Sequence, residues 1–200
     1  MAGTFGAVVA ADGTRHILSN NHVLANENSL PVGSPIFQPG LLDRGNPNRD
    51  QIARLTRFVA LQSEQPNSLD CAIAEILDDQ NVSPAFLPKV GRLKSPQPIT
   101  TTEGMRVEKV GRTTGYTTGV IFDLSADVKI EYELGILTFF DQILIRGSEG
   151  MFSDRGDSGS VIVDRTTRRA TALLFAGSDS HTIANPLADV LAQLGVTMVI

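Results

Sequence analysis

Gly156-Asp157-Ser158-Gly159-Ser160 is the stretch from which the rest of the chain is read. Glycines on both sides of an Asp-Ser pair describe a tight turn that presents one hydroxyl. A serine hydroxyl is a poor nucleophile at neutral pH. It needs a base within hydrogen-bond reach and a carboxylate that fixes the tautomer of that base. Two upstream segments offer such groups: His22 in Ser19-Asn20-Asn21-His22-Val23-Leu24, and Asp70 in Leu69-Asp70-Cys71-Ala72-Ile73-Ala74. In this constellation Ser158 attacks a carbonyl, His22 takes its proton, and Asp70 holds the other ring nitrogen. These residues lie far apart in the chain, so only tertiary structure can join them. The turn itself can aim the backbone N–H groups of Gly156 and Ser158 at a developing oxyanion. Gly156 has no Cβ to obstruct that pocket.

The bulk of the chain suits a globular host for such a site. Two hundred residues, 42% hydrophobic, can build one large domain or two small lobes. A net charge of −5 gives no basic field, so neither nucleic acid nor an anionic membrane is expected as partner. The small basic groups Lys89, Arg92, Lys94 and Arg165, Arg168, Arg169 read as solvated surface. Cys71 is the single cysteine, which precludes an intramolecular disulfide and favours a reducing compartment, the cytoplasm. The first residues show no basic-then-apolar leader. The apolar runs fall short of the ~20 residues a membrane helix needs. Three histidines and one cysteine without ligand spacing predict no metal site, and no cofactor is expected. His16 reads as a surface residue and Cys71 as a small buried hydrophobe.

Short strands punctuated by Gly, Asn, Asp and Pro dominate the pattern. Residues 4–11 and 15–19 form a predicted hairpin around Asp12-Gly13. Residues 31–50 hold four prolines and three glycines and read as an excursion with an edge strand at 34–38. Further strands are predicted at 51–61, 72–77, 105–111, 116–131, 137–145, 160–163 and 169–176. Residues 78–98, with four prolines, read as a connector between lobes. Asn185 is a predicted N-cap with Pro186 at the first helical position. Leu187, Val190, Leu191 and Leu194 recur at helical spacing, and Gly195 ends the helix. The fold class is all-β with a short C-terminal helix. The predicted lobes are 1–85, with His22 and Asp70, and 100–184, with the nucleophile. Residues 86–99 connect them and 185–200 form the terminal helix and tail.

The motifs Asn20-Asn21-His22-Val23, Asp70-Cys71-Ala72-Ile73-Ala74 and Gly156-Asp157-Ser158-Gly159 occur in the order found in the chymotrypsin-type (trypsin-like) serine proteases, and the chain resembles that family. Gly111-Arg112-Thr113-Thr114-Gly115-Tyr116 is similar to a loop of its bacterial alpha-lytic protease and streptogrisin branch. The resemblance spans roughly residues 4–194 and implies two six-stranded antiparallel Greek-key β-barrels with the site between them. It implies an ion pair between Arg112 and Asp157 that forms the oxyanion turn without proteolytic activation. It also places Phe175, Ala176 and Gly177 on the edge that pairs with substrate. Phe152, near the pocket base, and Ser153 would line the primary pocket together with residues 178–183. No acid is placed to favour Lys or Arg there. His181 reads as a loop residue, or as a histidine approaching the pocket as in some glutamate-specific relatives.

Three positions depart from the pattern. Ser160 replaces a glycine. Phe175 stands where many relatives carry a serine that supports the aspartate. His22 comes early, so the first barrel lacks its opening strand: either upstream sequence or a further domain supplies it, or another segment closes the barrel. The expected function is a serine endopeptidase acting on a peptide or protein substrate through an acyl-enzyme. The alternative is a protease-like peptide-binding or regulatory module within a larger protein.

Overall fold

The computed structural model describes residues 2–78, 82 and 86–200. In chain order the strands are β1 (Ala7–Ala11), β2 (Thr14–Ser19), β3 (Pro35–Phe37), β4 (Gln51–Phe58), β5 (Ala72–Ile76), β6 (Phe86–Leu87), β7 (Gly91–Arg92), β8 (Arg106–Gly111), β9 (Gly115–Tyr132), β10 (Gly135–Gly147), β11 (Val161–Asp164), β12 (Ala170–Gly177), β13 (Thr182–Pro186) and β14 (Thr197–Met198). Two helices, α1 (Asn21–Leu24) and α2 (Leu187–Leu194), and a 3-10 turn at Leu41–Asp43 complete the fold.

Six strands build each lobe. The first sheet runs β14-β1-β2-β5-β4-β3, with β14 and β3 at its edges; the second closes as a barrel in the order β10-β13-β12-β11-β8-β9. One edge strand of the first sheet comes from the far end of the chain. β14 pairs antiparallel with β1 at Val9↔Met198 and covers an edge that would otherwise be bare. The end of the first lobe at residue 85 lies outside the described residues, as do 79–81 and 83–84 of the predicted connector. Its described part forms the small β6–β7 hairpin.

Strand periodicity explains why the sequence fills both faces of the first sheet. In β5, Ile73 points to a core shared with the second lobe, while Ala72, Ala74 and Ile76 point to the opposite layer with Ile17 and Leu55. In β2, Leu18 and Ile17 divide in the same way. The shared core also holds Val161, Val163 and Leu173 and the apolar face of α2, namely Leu187, Val190, Leu191 and Leu194. Each such side chain contributes about 1.5–3 kcal/mol on burial. Val107, Ile121, Ile143, Ile145 and Ile162 fill the closed barrel.

Two local expectations are corrected. Asn185 is a strand residue of β13, and Pro186 takes the cap position ahead of α2; the buried Asn185 side chain is used elsewhere. Gly195 ends α2 in the left-handed conformation, as predicted. His16 is buried, because β2 lies between β1 and β5 and leaves little of the ring uncovered.

Candidate active site

His22 sits on the single turn of α1, directly after β2. The buried side chains of Asn20 and Asn21 hold that turn in place. Asn20 Nδ2 donates to the Asp70 carbonyl at 2.7 Å, and Asn21 Nδ2 donates to the Val59 carbonyl at 2.6 Å and to Asn28 Oδ1 at 2.8 Å. His22 Nδ1 lies 2.5 Å from Asp70 Oδ2, and the His22 backbone N–H donates to Asp70 Oδ1 at 3.2 Å. This fixes the ring with Nδ1 as donor and Nε2 as the basic nitrogen. Asp70 is fully buried. Burial alone pushes its carboxyl up, but the charge and hydrogen bonds of His22 and the Tyr132 hydroxyl hold it below the usual carboxylate range.

The second lobe secures Asp70 from behind. Asn185 Oδ1 accepts the Asp70 N–H at 3.0 Å, and Asn185 Nδ2 donates to Gln142 Oε1 at 2.7 Å. The Tyr132 hydroxyl donates to Asp70 Oδ2 at 2.6 Å.

Ser158 lies on the turn before β11. Gly159 has φ +94°, and a Cβ there would collide with the Ser19 hydroxyl and the Thr4 carbonyl. Only glycine lets this turn approach the segment leading to His22. Residues 3 and 4 run between the two parts: a Cβ on Gly3 would fall 2.8 Å from Val23 Cγ1 and 2.9 Å from the Ser158 carbonyl oxygen. Thr4 fastens the turn. Its N–H donates to the Ser158 carbonyl at 2.7 Å and its hydroxyl to the Gly156 carbonyl at 3.0 Å.

The backbone N–H groups of Gly156 and Ser158 donate to no protein acceptor among the described residues. The Ser158 hydroxyl donates to the Phe175 carbonyl at 3.3 Å, and no hydrogen bond joins it to His22 among the described residues.

The Arg112–Asp157 ion pair is corrected. The partner of Asp157 is Lys109, with Nζ 3.1 Å from Asp157 Oδ2 and both side chains wholly buried. Arg112 instead forms a two-pronged contact with Asp43 across the lobes, with Nε 2.7 Å from Oδ2. The physical reason lies in the loop. Its backbone faces Asp157, with the N–H groups of Thr113 and Thr114 donating at 2.8 and 3.1 Å, while the Arg112 guanidinium passes over Gly156, where a Cβ would fall 2.6 Å from Nη1, to reach Asp43. Burial raises the Asp157 carboxyl, but the Thr114 hydroxyl and the N–H groups of Thr113, Asp154 and Thr114 more than offset it and leave it below the usual carboxylate range. Lys109 Nζ also donates to Thr114 Oγ1 and, at 3.1 Å, to the Gly115 carbonyl. These three acceptors match the donors of one ammonium.

Of the residues expected around the pocket, Ser153, Gly177 and Thr182 come together. Ser153 Oγ and Thr182 Oγ1 are 2.5 Å apart, and a Cβ on Gly177 would lie 3.3 Å from Ser153 Oγ. Phe152 is buried in the barrel core beside them. Ala176 and Gly177 pair with Ile183 and Thr182 of β13. On the other side of β12, β11 reaches Leu173 and the Ser158 turn reaches Leu174. Beyond Leu174 that edge has no strand beside it among the described residues. The Phe175 ring packs on Phe139 at 4.9 Å. His181 leans on Phe122 at 4.8 Å and bonds to Ser180.

Lys109, Tyr132, Asn185 and Thr4 are the site residues that sequence reasoning missed. Lys109 had a signal: it shares strand parity with the buried Val107, so its side chain had to enter the barrel.

Residues 85–182 match the family described as the Nal1 C-terminal domain. No curated protein matches the chain. Among solved structures, Thermobifida fusca protease A is similar at 16% identity and TM-score 0.67, over 98% of this chain and 91% of that one. Nocardiopsis protease is similar at 18% identity and TM-score 0.65, over 100% and 98%. A glutamic acid specific serine protease, described as using a histidine triad in substrate binding, gives 19% identity and TM-score 0.63 over 96% and 91%. The chain therefore has the chymotrypsin-like fold of these bacterial serine proteases.

Proposed function

We propose that this protein is a serine endopeptidase that cleaves peptide bonds through an acyl-enzyme. The observation that carries the reading is the buried His22–Asp70 pair beside the Ser158 turn, whose Gly156 and Ser158 N–H groups have no protein acceptor among the described residues. A rotation of the Ser158 side chain away from the Phe175 carbonyl frees the hydroxyl. Ser158 Oγ then attacks the scissile carbonyl as its proton passes to His22 Nε2. Asp70, kept ionised, stabilises the imidazolium. The tetrahedral oxyanion is met by the Gly156 and Ser158 N–H groups, a contribution of about 3 kcal/mol per donor to the transition state. His22 returns the proton to the leaving amine, and water repeats the sequence on the ester.

The edge at Phe175–Gly177, with no strand beside it among the described residues, suits an extended peptide that adds as a strand. Internal pairing of Asp157 with Lys109 makes the turn independent of any newly cut amino terminus.

One observation favours a second reading, a peptide-binding or conditionally active module: the Ser158 hydroxyl rests on Phe175 and not on His22. Cleavage of a peptide library separates the two. The endopeptidase cuts library peptides and the Ser158→Ala variant does not. A binding module retains peptides uncut in both forms.

A further inference from the structure

Phe175 offers no donor to Asp70, and the donor comes instead from a residue at the end of β9. Tyr132 closes the arm of the β9–β10 hairpin that reaches from the second lobe over the first. Its hydroxyl donates to Asp70 Oδ2 at 2.6 Å, the same oxygen that holds His22 Nδ1. Its ring meets the His22 imidazole edge-on, with centroids 5.8 Å apart. Behind it the ring stacks on Phe139 at 5.9 Å, and Phe139 packs on Phe175 at 4.9 Å. An aromatic column thus links the strand carrying Phe175 to the imidazole, with one hydroxyl aimed at the carboxylate.

The hairpin is fixed to the first lobe on either side of this contact. Glu27 Oε2 accepts the Leu134 N–H at 3.1 Å. The Asn67 N–H donates to the Thr138 carbonyl at 2.8 Å, and the Asn67 carbonyl accepts the Phe140 N–H at 3.0 Å. Gln142 Nε2 donates to the Ser68 carbonyl at 2.9 Å. These contacts hold the arm that carries Tyr132 against the first lobe, with its hydroxyl at Asp70. Burial and the nearby Asp70 and Glu27 carboxylates keep the Tyr132 phenol protonated, and so a donor, throughout the ordinary pH range.

We infer that Tyr132 is a positioning residue that orients the Asp70–His22 pair and ties that orientation to the docking of the β9–β10 hairpin. The role rests on the endopeptidase reading above. A hydrogen bond to a charged group has directional strength, and a small misplacement of a base lowers the rate of proton transfer without weakening substrate binding.

Tyr132→Phe keeps the aromatic column and removes only the hydroxyl. With p-nitrophenyl acetate as probe, the burst of p-nitrophenol measures acylation. The variant is expected to acylate about tenfold more slowly at saturating ester, with the half-saturating ester concentration unchanged. A second readout needs no activity. In the Ser158→Ala protein, the His22 Nδ1 proton, hydrogen-bonded to Asp70, is followed by proton NMR with and without Tyr132→Phe. A shift or broadening of that resonance supports the inference. An unchanged resonance overturns it, as does a wild-type burst rate in Tyr132→Phe. If the wild-type protein shows no burst while the resonance still shifts, the endopeptidase reading fails and the Tyr132 contact stands.

Discussion

Lys109 Nζ and Asp157 Oδ2 lie 3.1 Å apart inside the second barrel, and neither side chain is exposed. Asp157 immediately precedes Ser158, so whatever neutralises this carboxylate also sets the turn that carries Ser158. A buried carboxylate needs a partner, and removing one member of such a pair leaves an uncompensated charge. Here the partner is built into β8, one strand away from the turn.

Lys109→Met is therefore expected to lower folding stability by about 3–5 kcal/mol, read by urea denaturation, and to abolish the p-nitrophenyl acetate burst. Adding Asp157→Asn to Lys109→Met is expected to recover part of the lost stability, because the unpaired charge is then gone. A single variant as stable as wild type contradicts this account of the pair.

Arg112→Ala makes the opposite prediction. Its contact with Asp43 lies at the surface and is open to solvent screening. The variant is expected to keep the wild-type burst and urea midpoint. A loss of burst equal to that of Lys109→Met would return the supporting role to Arg112.

Acid is expected to destabilise the protein through the same buried groups. In the folded state the Asp70 and Asp157 carboxyls both titrate below the usual carboxylate range. In the unfolded chain an aspartate titrates near about 3.9. As pH falls, the unfolded chain takes up these protons first. The stability they contribute is fully present above about pH 5 and is lost progressively as pH falls through their folded values. Thermal melting from pH 7 to pH 2 tests this, and Asp157→Asn is expected to flatten the acid limb. An acid limb unchanged in that variant contradicts the assignment.

Much of this architecture was legible from residue patterns, and the failures have physical causes. The Asp12-Gly13 hairpin, the edge strand near Ile36 and the Gly195 helix stop follow from turn chemistry and strand alternation that act over a few residues. The motifs around His22, Asp70 and Ser158 could be read because each is local. β14 could not, since two residues carry no periodicity and their pairing with β1 depends on where α2 sends the chain. Asn185 looked like a cap because Asn-Pro ahead of an apolar helical pattern is a strong local signal. Tertiary contact overrode it, for the Asp70 N–H needed an acceptor. The loop resemblance points to Arg112 as the partner of Asp157, whereas the inward parity of β8 decides that the buried cation is Lys109. Tyr132 reaches Asp70 only through the length and docking of the β9–β10 hairpin, which no short window of sequence encodes.

The most direct test of the central claim, that Ser158 is a nucleophile activated by His22 and Asp70, is mass spectrometry after treatment with a fluorophosphonate. The account predicts one phosphonyl adduct per wild-type molecule, mapped to the peptide containing Ser158. Capture is expected to vanish in Ser158→Ala and to slow by at least about a thousandfold in His22→Ala. No adduct on the folded wild-type protein, or an adduct that persists when Ser158 is replaced, contradicts it.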